Sequence, residues 1–516
     1  MMLMKEKRKM PRHNSILRIV FVGISLVLQV LWFLLLIQKL NNYSTYISLF
    51  TSILALTVVL RLYSKHTTSA MKMPWIMLIL VFPVMGLSLY CMVEFIGAPI
   101  FTRKRLEKIR TIMEGKLPQD PGTAAELYAL DPGISNQFRY LMEHVESPVY
   151  RDPAVKYYAE ATDALEDMKQ ALEQAEHFIF MEYFIVEDAE SFRQIREILC
   201  RKAKEGVEVR LRYDDIGSIG YVNLKFAKKL RADGIRCQVF NPAIPVFNLS
   251  MNHRDHRKIT VVDGKVGFTG GYNLANEYFG LSHPYGQWKD TGLRLEGSGV
   301  RSLTALFLEL WNLGGTVDHD PDRYLNASIP LPGARGFVLP FGDDPLSAER
   351  AAENVYMNMI AQAKESIWFI TPYLIITDEM RHALGLAAKR GVDVRIITPG
   401  IPDKKIVYQM TRSYYNGLAI QGVQIYEYTP GFCHAKQCIC DGRIASVGTS
   451  NLDFRSLYHH FENNVLIYGS DAIGDIRADF EALFPQCREV TEKYRSGRSA
   501  ILRTTHCILR LFAPLV

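Results

Sequence analysis

The sequence predicts two similar α/β domains behind an apolar N-terminal segment that anchors the chain in a membrane. Three observations lead to this fold class: a long internal repeat, the alternation of strand-like and helix-like stretches within each repeat, and long apolar runs near the start of the chain. At 516 residues, of which 48% are hydrophobic and 22% charged, the chain is long enough for two or three domains. The formal net charge of +6 is a mild basic excess that would suit an anionic membrane surface.

Two halves of the chain repeat the same blocks in the same order. The segment AEHFIFMEYFIVED from Ala175 matches AKESIWFITPYLIITDE from Ala363, and HRKITVVDGKVGFTGGYN from His256 matches HAKQCICDGRIASVGTSN from His434. Chance similarity would not preserve both order and content. The repeat is too long for one unit of a solenoid, so we interpret it as two fused and similar domains.

Each half alternates short β-rich runs with helical patterns. Phe178–Phe184 has the composition of a buried strand, whereas Ala189–Lys204 has helical periodicity. This alternation predicts a sheet covered by helices on both faces. We therefore predict two α/β/α sandwich domains that pack pseudo-symmetrically, at residues 111–320 and 333–490, with the join in the Pro- and Gly-rich stretch Thr316–Pro332.

The N-terminal region holds three apolar runs, at about 16–37, 46–60 and 74–93. A spanning helix needs about 20 predominantly apolar residues, a length that the first and third runs reach and the second approaches. We therefore predict a membrane anchor of two or three transmembrane helices at residues 1–110, which makes the chain a multi-pass protein of the cell membrane. No cleavage site of small residues follows the first run, which argues against a signal peptide.

The side of the membrane on which the domains lie is predicted from charge and cysteine usage. Basic clusters precede the first run and follow the third, and both favour the cytoplasm, although three complete spans cannot satisfy both. The eight cysteines show no C-x-x-C spacing, which argues for a reducing compartment and for domains that face the cytoplasm. Residues 491–516 resemble a basic amphipathic tail, which is either an interfacial helix on anionic lipid or a helix packed on the protein.

One block of the repeat contains the pattern His-x-Lys-x4-Asp. It occurs at His256/Lys258/Asp263 and at His434/Lys436/Asp441. Residues two apart on a strand point the same way, so the His and Lys of each copy share a face. Each Asp begins a turn with the following glycine, and a second small-residue turn ends in Asn273 or Asn451. We predict that the His, Lys and Asp residues are catalytic. A structural role as caps of the turn is the alternative for the two Asp residues.

Two imidazoles, two ammonium groups and two amides can perform phosphoryl transfer on a phosphodiester. The two lysines, with Asn273 and Asn451, would bind the phosphate through hydrogen bonds. Histidine titrates near neutral pH, so one imidazole can attack phosphorus and become phosphorylated while the other protonates the leaving oxygen. The lysines already supply positive charge, so we expect neither a metal ion nor a cofactor. We therefore predict that the two copies form one active site.

A nucleophilic imidazole also needs a partner that orients its ring. Alignment of the repeats on Gly297 and Gly469 matches Asp290 with Glu462. We predict that these two carboxylates accept the second ring N–H of the two histidines. The alternative is that they are ordinary acidic residues at the ends of strands.

A zinc site at the second copy is a competing hypothesis, because Cys433, Cys438 and Cys440 surround His434 and such clusters can bind zinc. However, His434, Cys438 and Cys440 lie along one strand, which cannot wrap an ion by itself. The first copy has no cysteine at the corresponding positions. The repeat therefore argues against zinc.

The motif followed by a Gly-Gly/Ser-x-Asn turn resembles the signature of the phospholipase D superfamily, although the second turn reads Gly448-Thr449-Ser450-Asn451. Within that superfamily, the membrane run PWIMLILVFPVMGLSLY, the two motif blocks and the basic apolar C-terminus resemble the bacterial cardiolipin synthases. The resemblance extends from about residue 45 to near the end, and the run at 16–37 looks like an added span. It implies two phospholipase D-like domains.

The resemblance implies a reaction in which two phosphatidylglycerol molecules give cardiolipin and glycerol. His256 would be the nucleophile that forms a phosphatidyl-histidine. His434 would protonate the departing glycerol and then deprotonate the hydroxyl of the second phosphatidylglycerol. One phosphodiester replaces another, so no ATP or CDP-linked donor is needed, and the partners would be phosphatidylglycerol and membrane lipids.

Other functions of the superfamily stay open: a membrane-bound phospholipase D, a phosphatidylserine synthase or a nuclease. The active site alone cannot separate them, because water and alcohols attack the same intermediate. The predicted anchor, and the lack of a stripe of basic and aromatic residues, argue against a nucleic-acid partner. A non-catalytic membrane scaffold is the alternative from another class, but it would not need His, Lys and Asn in both copies.

Overall fold

The computed structural model describes residues 45–91, 100–151, 153–223, 225–242, 252–315, 317–325, 334–496, 507 and 509–515, with a few isolated positions between 24 and 38. Most of the first apolar run, at 16–37, lies outside the described residues. Parts of the predicted join between the domains and of the C-terminal tail lie outside them as well.

The first half of the chain folds around a mixed sheet. Its strands, in chain order, are β1 (Tyr150–Arg151), β2 (Ala154–Tyr158), β3 (Phe178–Tyr183), β4 (Glu208–Asp214), β5 (Arg236–Phe240), β6 (Arg254–Asp255), β7 (Ile259–Val262), β8 (Val266–Gly270), β9 (Gln287–Lys289) and β10 (Gly292–Glu296). Seven of them form one sheet with the spatial order β2-β10-β8-β7-β3-β4-β5. The helices of this half are Ala161–Glu173, Glu190–Lys204, Asp215–Ser218, Phe226–Ala232, Val300–Gly314 and Asp322–Leu325, with a 3-10 turn at Asn276–Phe279.

The second half repeats this arrangement. Its strands are β11 (Phe337–Asp343), β12 (Ser366–Ile370), β13 (Leu374–Ile375), β14 (Asp393–Pro399), β15 (Gln424–Tyr428), β16 (Gly431–Cys433), β17 (Gln437–Cys440), β18 (Ile444–Gly448), β19 (Leu452–Asp453), β20 (His460–Tyr468) and β21 (Cys487–Glu489). A ten-stranded sheet has the order β1-β11-β20-β18-β17-β12-β14-β15-β21, with β6 paired to β20. The helices are Ala351–Gln362, Asp378–Lys389, Lys405–Ala419, Phe454–His459, Ala472–Leu483 and Thr491–Arg495.

The two sheets have the same core topology. In the first, β3, β4 and β5 run parallel while β7, β8 and β10 continue the sheet antiparallel. In the second, β12, β14 and β15 run parallel, and β17, β18 and β20 continue it antiparallel. The prediction of two similar α/β domains is confirmed.

Strand β3 shows why these apolar runs become buried strands. Phe178 and Phe180 point into a core that lies between the two halves, whereas Ile179 and Met181 point into an outer core beneath the helices of the first half. Both faces of the strand are covered, so the run at residues 178–181 is continuously apolar instead of alternating.

The core between the halves joins them into one body. It contains residues of both sheets, together with the helices Val300–Gly314 and Ala472–Leu483. Leu303 and Phe307 belong to the first of these helices, and Ile476 belongs to the second. Burial of this apolar surface is the main physical reason that the two motif copies face each other.

Residues 121–151 pack on the second half, although they lie in the range predicted for the first domain. The helices Pro121–Leu130 and Pro132–His144 each begin with an Asp whose carboxylate accepts two backbone N–H groups, followed by proline at the first helical position. Leu127 and Phe138 are buried in one core with Phe337 of β11. Strand β1 then pairs antiparallel with β11 and extends that sheet.

The described N-terminal segment forms three helices, Thr45–Ser64, Ser69–Val81 and Pro83–Cys91. The third apolar run, predicted as one spanning helix, is divided because Pro83 lacks an N–H and disfavours helical conformation at Phe82, where φ is -130° and ψ is 76°. Within the part of the chain that the structure describes, no helix combines the length and the hydropathy needed to cross a membrane.

Two flanking segments also pack on the α/β body. The helix Ile100–Met113, most of which falls in the range predicted for the anchor, buries Leu106 and Ile109 against residues of both halves. At the C-terminus, Arg510 stacks on the ring of Tyr414 at 4.6 Å and Ala513 is buried in the core of the second half. For the described residues 509–515, the structure favours a tail packed on the protein over an interfacial helix.

Candidate active site

His256 and His434 occupy equivalent places, each shortly before a central strand of its own sheet. The short strand that precedes each histidine pairs with the other half: β6 pairs in parallel with β20, and β16 pairs in parallel with β9. The backbone N–H of His256 donates to Phe461 O at 2.9 Å, and that of His434 donates to Lys289 O at 2.7 Å. The residue after each acceptor is a carboxylate, so these bonds bring one carboxylate of each half to the histidine of the other half.

Each histidine ring contacts the carboxylate from the opposite half. His256 Nδ1 lies 2.9 Å from both carboxylate oxygens of Glu462, and His434 Nδ1 lies 2.7 Å from Asp290 Oδ2. An ionised carboxylate only accepts hydrogen bonds, so Nδ1 carries the proton and Nε2 keeps its lone pair. In this tautomer Lys436 Nζ, 2.7 Å from His434 Nδ1, is a close neighbour of the ring and not a donor to it. Both carboxylates are buried, which fixes the rings in this orientation.

Burial and the nearby lysines lower the pKa of both histidines. The pKa of His434 falls to about 4, with Lys436 acting in the same direction as burial. The pKa of His256 falls well below its ordinary value, through burial and the charges of Lys258 and Lys436. Burial would raise the pKa of Asp290, but His434 and Lys436 outweigh it and keep this carboxylate ionised. Both rings are therefore neutral at neutral pH, with a free lone pair on Nε2.

The two lysines lie beside the histidines. Lys258 Nζ donates to the backbone oxygen of His256 at 2.5 Å, and Lys436 Nζ donates to the backbone oxygen of His434. Burial lowers the pKa of Lys258 to about 7 and that of Lys436 to about 8, although nearby carboxylates act in the opposite direction. An ammonium has three N–H donors, so each lysine retains donors that can bind a phosphate oxygen.

Asp263 and Asp441 lie at the ends of β7 and β17 away from the histidines, and their carboxylates bind backbone amides. Asp263 accepts from three consecutive N–H groups at 2.7–2.8 Å, those of Glu176, His177 and Phe178. Asp441 accepts from the equivalent three, those of Lys364, Glu365 and Ser366. They cap the starts of β3 and β12. These contacts favour the role of strand caps, the structural alternative to a catalytic role for the two Asp residues.

The two asparagines have different surroundings. Asn273 Oδ1 accepts from the Ile185 N–H at 3.0 Å, and its Nδ2 donates to the Tyr278 hydroxyl at 2.8 Å. Asn451 Oδ1 is buried and has no hydrogen-bond partner among the described residues. Asn273 is thus largely engaged with the protein, whereas Asn451 keeps a free acceptor. The substrate-binding role of both stays a prediction.

The turn after β8 approaches the site so closely that it requires glycine. A Cβ on Gly271 would lie 2.0 Å from Asp290 Oδ1 and 3.0 Å from the backbone oxygen of His434. The second copy has Thr449 at this position, and its hydroxyl donates to Glu462 Oε2 at 2.5 Å. The equivalent turns therefore support their carboxylates differently, by close backbone approach in one half and by a hydroxyl in the other.

The surroundings of the two rings differ as well. Three aromatic rings enclose His434, with centroid distances of 5.2 Å for Tyr278, 5.3 Å for Trp288 and 5.9 Å for Phe432. His256 has Phe184 at 5.0 Å and the imidazole of His460 at 5.3 Å. His434 thus lies in an apolar enclosure, and His256 lies beside a second histidine.

Sequence reasoning missed three residues around Glu462. Thr449 is one of them, and Ser456 donates its hydroxyl to Glu462 Oε1 at 2.6 Å. His460 lies two residues before Glu462 on β20, and its Nδ1 is 3.5 Å from Glu462 Oε1. The period of two along a strand, counted back from Glu462, is the signal that could have located His460.

The cysteines near His434 point into different cores. Cys433 lies in the core between the halves, whereas Cys438 and Cys440 lie in the outer core of the second half. Cys438 Sγ contacts Met359 Sδ at 3.4 Å. Their side chains therefore do not converge on His434.

Comparison with known proteins identifies the family. Residues 168–290 and 356–484 match the family described as "Cardiolipin synthase, PLD-like domain", and each matched segment contains one copy of the motif. A protein named cardiolipin synthase from Halalkalibacterium halodurans is 34% identical over 89% of this chain and 91% of its own length. An uncharacterized protein of Streptococcus mutans serotype c is 39% identical over 89% of this chain and 99% of its own length.

A solved structure shares the fold. The phosphatidylserine synthase of Haemophilus influenzae Rd KW20 aligns with a TM-score of 0.54 at 14% identity, over 74% of this chain and 98% of that chain. At this level of identity the likeness concerns the fold alone. Together with the family match and the relatives, the duplicated fold and the paired motifs lead to one conclusion: the chain belongs to the cardiolipin synthase family of phospholipase D-like proteins.

Proposed function

We propose that this protein is a phosphatidyltransferase that makes cardiolipin and glycerol from two molecules of phosphatidylglycerol. The observation that carries the proposal is the crosswise pairing of His256 with Glu462 and of His434 with Asp290, at 2.9 and 2.7 Å, in a chain of this family. It leaves two Nε2 lone pairs and two ammonium groups for one phosphodiester.

The different surroundings of the two histidines support a division of roles. The pKa of His256 lies well below its ordinary value through burial and the charges of Lys258 and Lys436, so the ring is neutral and can serve as the nucleophile. His434, with a pKa of about 4 and Asp290 beside it, protonates more readily once an anionic phosphodiester offsets the lysine charges. His434 therefore serves as the general acid.

The reaction then has two balanced steps. In the first, His256 Nε2 forms a bond to phosphorus, the bond from phosphorus to the glycerol oxygen breaks, and His434 gives its Nε2 proton to that oxygen. In the second, the terminal hydroxyl of another phosphatidylglycerol attacks phosphorus, His434 takes its proton, and the bond from phosphorus to nitrogen breaks. Lys258 and Lys436 bind the non-bridging oxygens throughout.

The rim of the site supports a lipid substrate. Exposed apolar side chains lie on two neighbouring loops, Leu281 on one and Ile401 on the other, and Ile406 is exposed in the first turn of the helix Lys405–Ala419. The loops adjoin, since a Cβ on Gly286 would lie 3.1 Å from Ile401 Cδ1. Ile401 also donates its N–H to Gly431, which begins the strand that leads to His434. Exposed Lys404 and Lys405 on the same rim would attract anionic headgroups.

Membrane attachment through the N-terminal segment belongs to this proposal. The helix Thr45–Ser64 exposes Phe50, Ile53 and Leu60, and the basic helix Ile100–Met113 follows the apolar segment. We infer an enzyme of the cell membrane whose α/β body faces the cytoplasm. Resistance to carbonate extraction, together with protection of the body from protease in intact spheroplasts, is the expected result. Release of the chain by carbonate would contradict the attachment.

The reaction is tested with purified protein and vesicles that contain phosphatidylglycerol as the only reactive lipid. We expect cardiolipin and free glycerol in equal amounts. Phosphatidic acid as the sole product would show hydrolysis and overturn the synthase assignment.

The roles of the histidines are tested with a phosphatidyl donor that carries an activated leaving group. His434→Ala should still accumulate the covalent phosphatidyl-enzyme, because such a group needs no proton. His256→Ala should form none. The opposite result would exchange the two roles.

A further inference from the structure

His460 is a third histidine in the active site for which the proposed reaction has no use. Its side chain is 7% exposed, and neither of its ring nitrogens makes a hydrogen bond among the described residues. Buried polar groups are nearly always hydrogen-bonded, so a buried imidazole without a partner indicates a ligand or a functional role. Its position next to His256 and Glu462 suggests what that ligand is.

The three side chains form a compact set of metal-ligand atoms. One ligand atom from each of His256, His460 and Glu462 lies within 4.8 Å of the other two. His256 Nδ1 and Glu462 Oε1 are 2.9 Å apart, and His460 Nδ1 is 3.5 Å from the same oxygen. Ligand atoms about 2.0–2.2 Å from one tetrahedral zinc ion are about 3.4 Å apart. Small side-chain rotations would therefore bring all three to an ion.

The chemistry of the ligands selects the type of ion. Two imidazoles and one carboxylate are typical of zinc and related transition metals, whereas magnesium and calcium prefer oxygen ligands alone. Three protein ligands leave the fourth coordination position open. The set lacks the fourth side chain that a closed structural zinc site would have.

The surroundings of Glu462 are suited to a metal-binding carboxylate. The hydroxyls of Thr449 and Ser456 donate to its two oxygens at 2.5 and 2.6 Å and so fix its orientation. Such outer hydrogen bonds are typical of protein metal sites. Lys258 and Lys436 repel a cation, but the carboxylates of Glu462 and Asp290 offset their charge.

We propose that His256, His460 and Glu462 bind one zinc ion and that this ion reversibly switches the enzyme off. Coordination through His256 Nδ1 moves the ring proton from this nitrogen to Nε2, which removes the lone pair that attacks phosphorus and breaks the hydrogen bond to Glu462. The hydrogen bond that orients the nucleophile and the metal bond use the same two groups, so the two states exclude each other. The inhibitory part rests on the proposed function, whereas binding of the ion does not.

Metal binding is tested spectroscopically on the full-length chain after treatment with a chelator. Titration with Co²⁺, a spectroscopic substitute for zinc, should give visible absorption bands that saturate at one equivalent and disappear on addition of Zn²⁺. His460→Asn should weaken Co²⁺ binding by more than the roughly 10–100-fold that loss of an outer hydrogen bond costs. His382→Asn, which removes an exposed histidine on the helix Asp378–Lys389, is the matched control and should bind as the wild type does.

Inhibition is tested as the ratio of activity with and without Zn²⁺, measured separately for each protein. The wild type and His382→Asn should lose activity in Zn²⁺ and regain it in chelator. His460→Asn should show a ratio close to one. Thermal unfolding of each variant checks its folding, and His460→Gln replaces His460→Asn if that variant is unfolded.

Two results would overturn the proposal: absence of saturable Co²⁺ binding by the wild type, or equal binding by the wild type and a folded His460 variant. If the protein lacks the proposed activity, no ratio of activity with and without Zn²⁺ can be measured, but the Co²⁺ titration is unchanged. This result therefore differs from the two results that would overturn metal binding.

Discussion

At the residue scale, the two candidate catalytic histidines, His256 and His434, have different surroundings. Glu462 accepts from His256 and from two hydroxyls, whereas Asp290 accepts from His434 and from the N–H of Thr291 at 2.9 Å. His434 lies among aromatic rings and His256 beside another imidazole. A duplicated site with identical surroundings would have two interchangeable histidines. These differences favour the proposed division of roles, in which His256 is the nucleophile and His434 exchanges protons.

We expect Glu462→Gln and Asp290→Asn to lower kcat by about 10³–10⁴-fold with little change in KM. An amide can donate to Nδ1, which moves the ring proton to Nε2 and removes the lone pair needed there. Steady-state kinetics on phosphatidylglycerol vesicles measures the effect. Glu353→Gln is the control, since Glu353 is also buried and accepts from the hydroxyls of Thr377 and Tyr458. An increase in KM at constant kcat would contradict an orienting role.

The pKa values of the two lysines predict the alkaline limb of the pH profile of kcat/KM. Burial lowers the pKa of Lys258 to about 7 and that of Lys436 to about 8, so the free enzyme loses these positive charges as the pH rises through that range. We therefore expect kcat/KM for the anionic substrate to fall above about pH 7–8. The kcat limb should lie at higher pH, because bound phosphate raises the pKa of both lysines.

This pH profile has a matched variant. Arginine keeps its charge at all relevant pH values, so Lys258→Arg should move the alkaline limb of kcat/KM to higher pH. The comparison uses rates from about pH 5 to 10 on the same vesicles. A wild-type profile of kcat/KM that stays flat to about pH 9, roughly one unit above the higher lysine pKa, would contradict the assignment of the alkaline limb to the lysines.

At the element scale, the Asp of each motif connects two neighbouring strands of its sheet. Each lies in the left-handed region, with φ of 52° at Asp263 and 51° at Asp441, and is followed by a glycine that also has positive φ. Each carboxylate accepts the first N–H of the strand beside the motif strand and the two N–H groups that precede it. The Asp thereby aligns the motif strand with its neighbour and positions the histidine at the other end.

We expect Asp263→Ala to destabilise the fold by about 2–4 kcal/mol, because three amides lose their acceptor and alanine tolerates positive φ poorly. Asp263→Asn should cost less, since asparagine keeps an oxygen acceptor and adopts this conformation more readily. Urea unfolding measures both. The folded fraction of each variant should keep most of its kcat. A loss of kcat as large as that of Glu462→Gln, without loss of stability, would restore a catalytic role.

At the scale of the whole molecule, neither half contains a complete site. Each motif histidine contacts a carboxylate of the other half, and a buried ion pair helps to hold the halves in register. Lys289 Nζ of the first half donates to Asp479 Oδ1 of the second at 2.8 Å, and Tyr157 donates to Asp479 Oδ2 at 2.6 Å. Lys289 also provides the carbonyl that holds His434. Stability of the interface and geometry of the site are therefore coupled.

We expect Asp479→Ala to destabilise the protein by about 3 kcal/mol, because it removes the nearer carboxylate of the buried Lys289 and leaves Glu160, at 3.5 Å, as its ion-pair partner. The kcat should fall as well, since the same segment carries Asp290. The double variant Lys289→Met/Asp479→Leu should recover most of the stability, because no charge then stays buried alone. Thermal unfolding and kinetics of the single and double variants test this. A double variant less stable than Asp479→Ala would contradict the argument.

Much of the site could be predicted from the sequence because the duplication marks it twice. The repeated spacing pointed to both His and Lys pairs, although these residues lie just before β7 and β17 and not within a strand. The aligned glycines pointed to Asp290 and Glu462 as a related pair. The sequence left two interpretations of Asp263, catalytic and structural, because it does not show which backbone amides a turn carboxylate contacts. His460 was missed because no counterpart in the first half drew attention to it.

The sequence by itself determined the duplicated α/β architecture, the family and the His and Lys pairs of the candidate site, since these depend on local periodicity and on repeated spacing. Only the tertiary structure decided that each histidine is paired with the carboxylate of the opposite half, that the motif Asp residues cap strands, and that residues 121–151 complete the second half. The physical reason is that these contacts join segments far apart in the chain. These contacts form because the two halves bury a shared core, and local sequence patterns do not reveal such long-range packing.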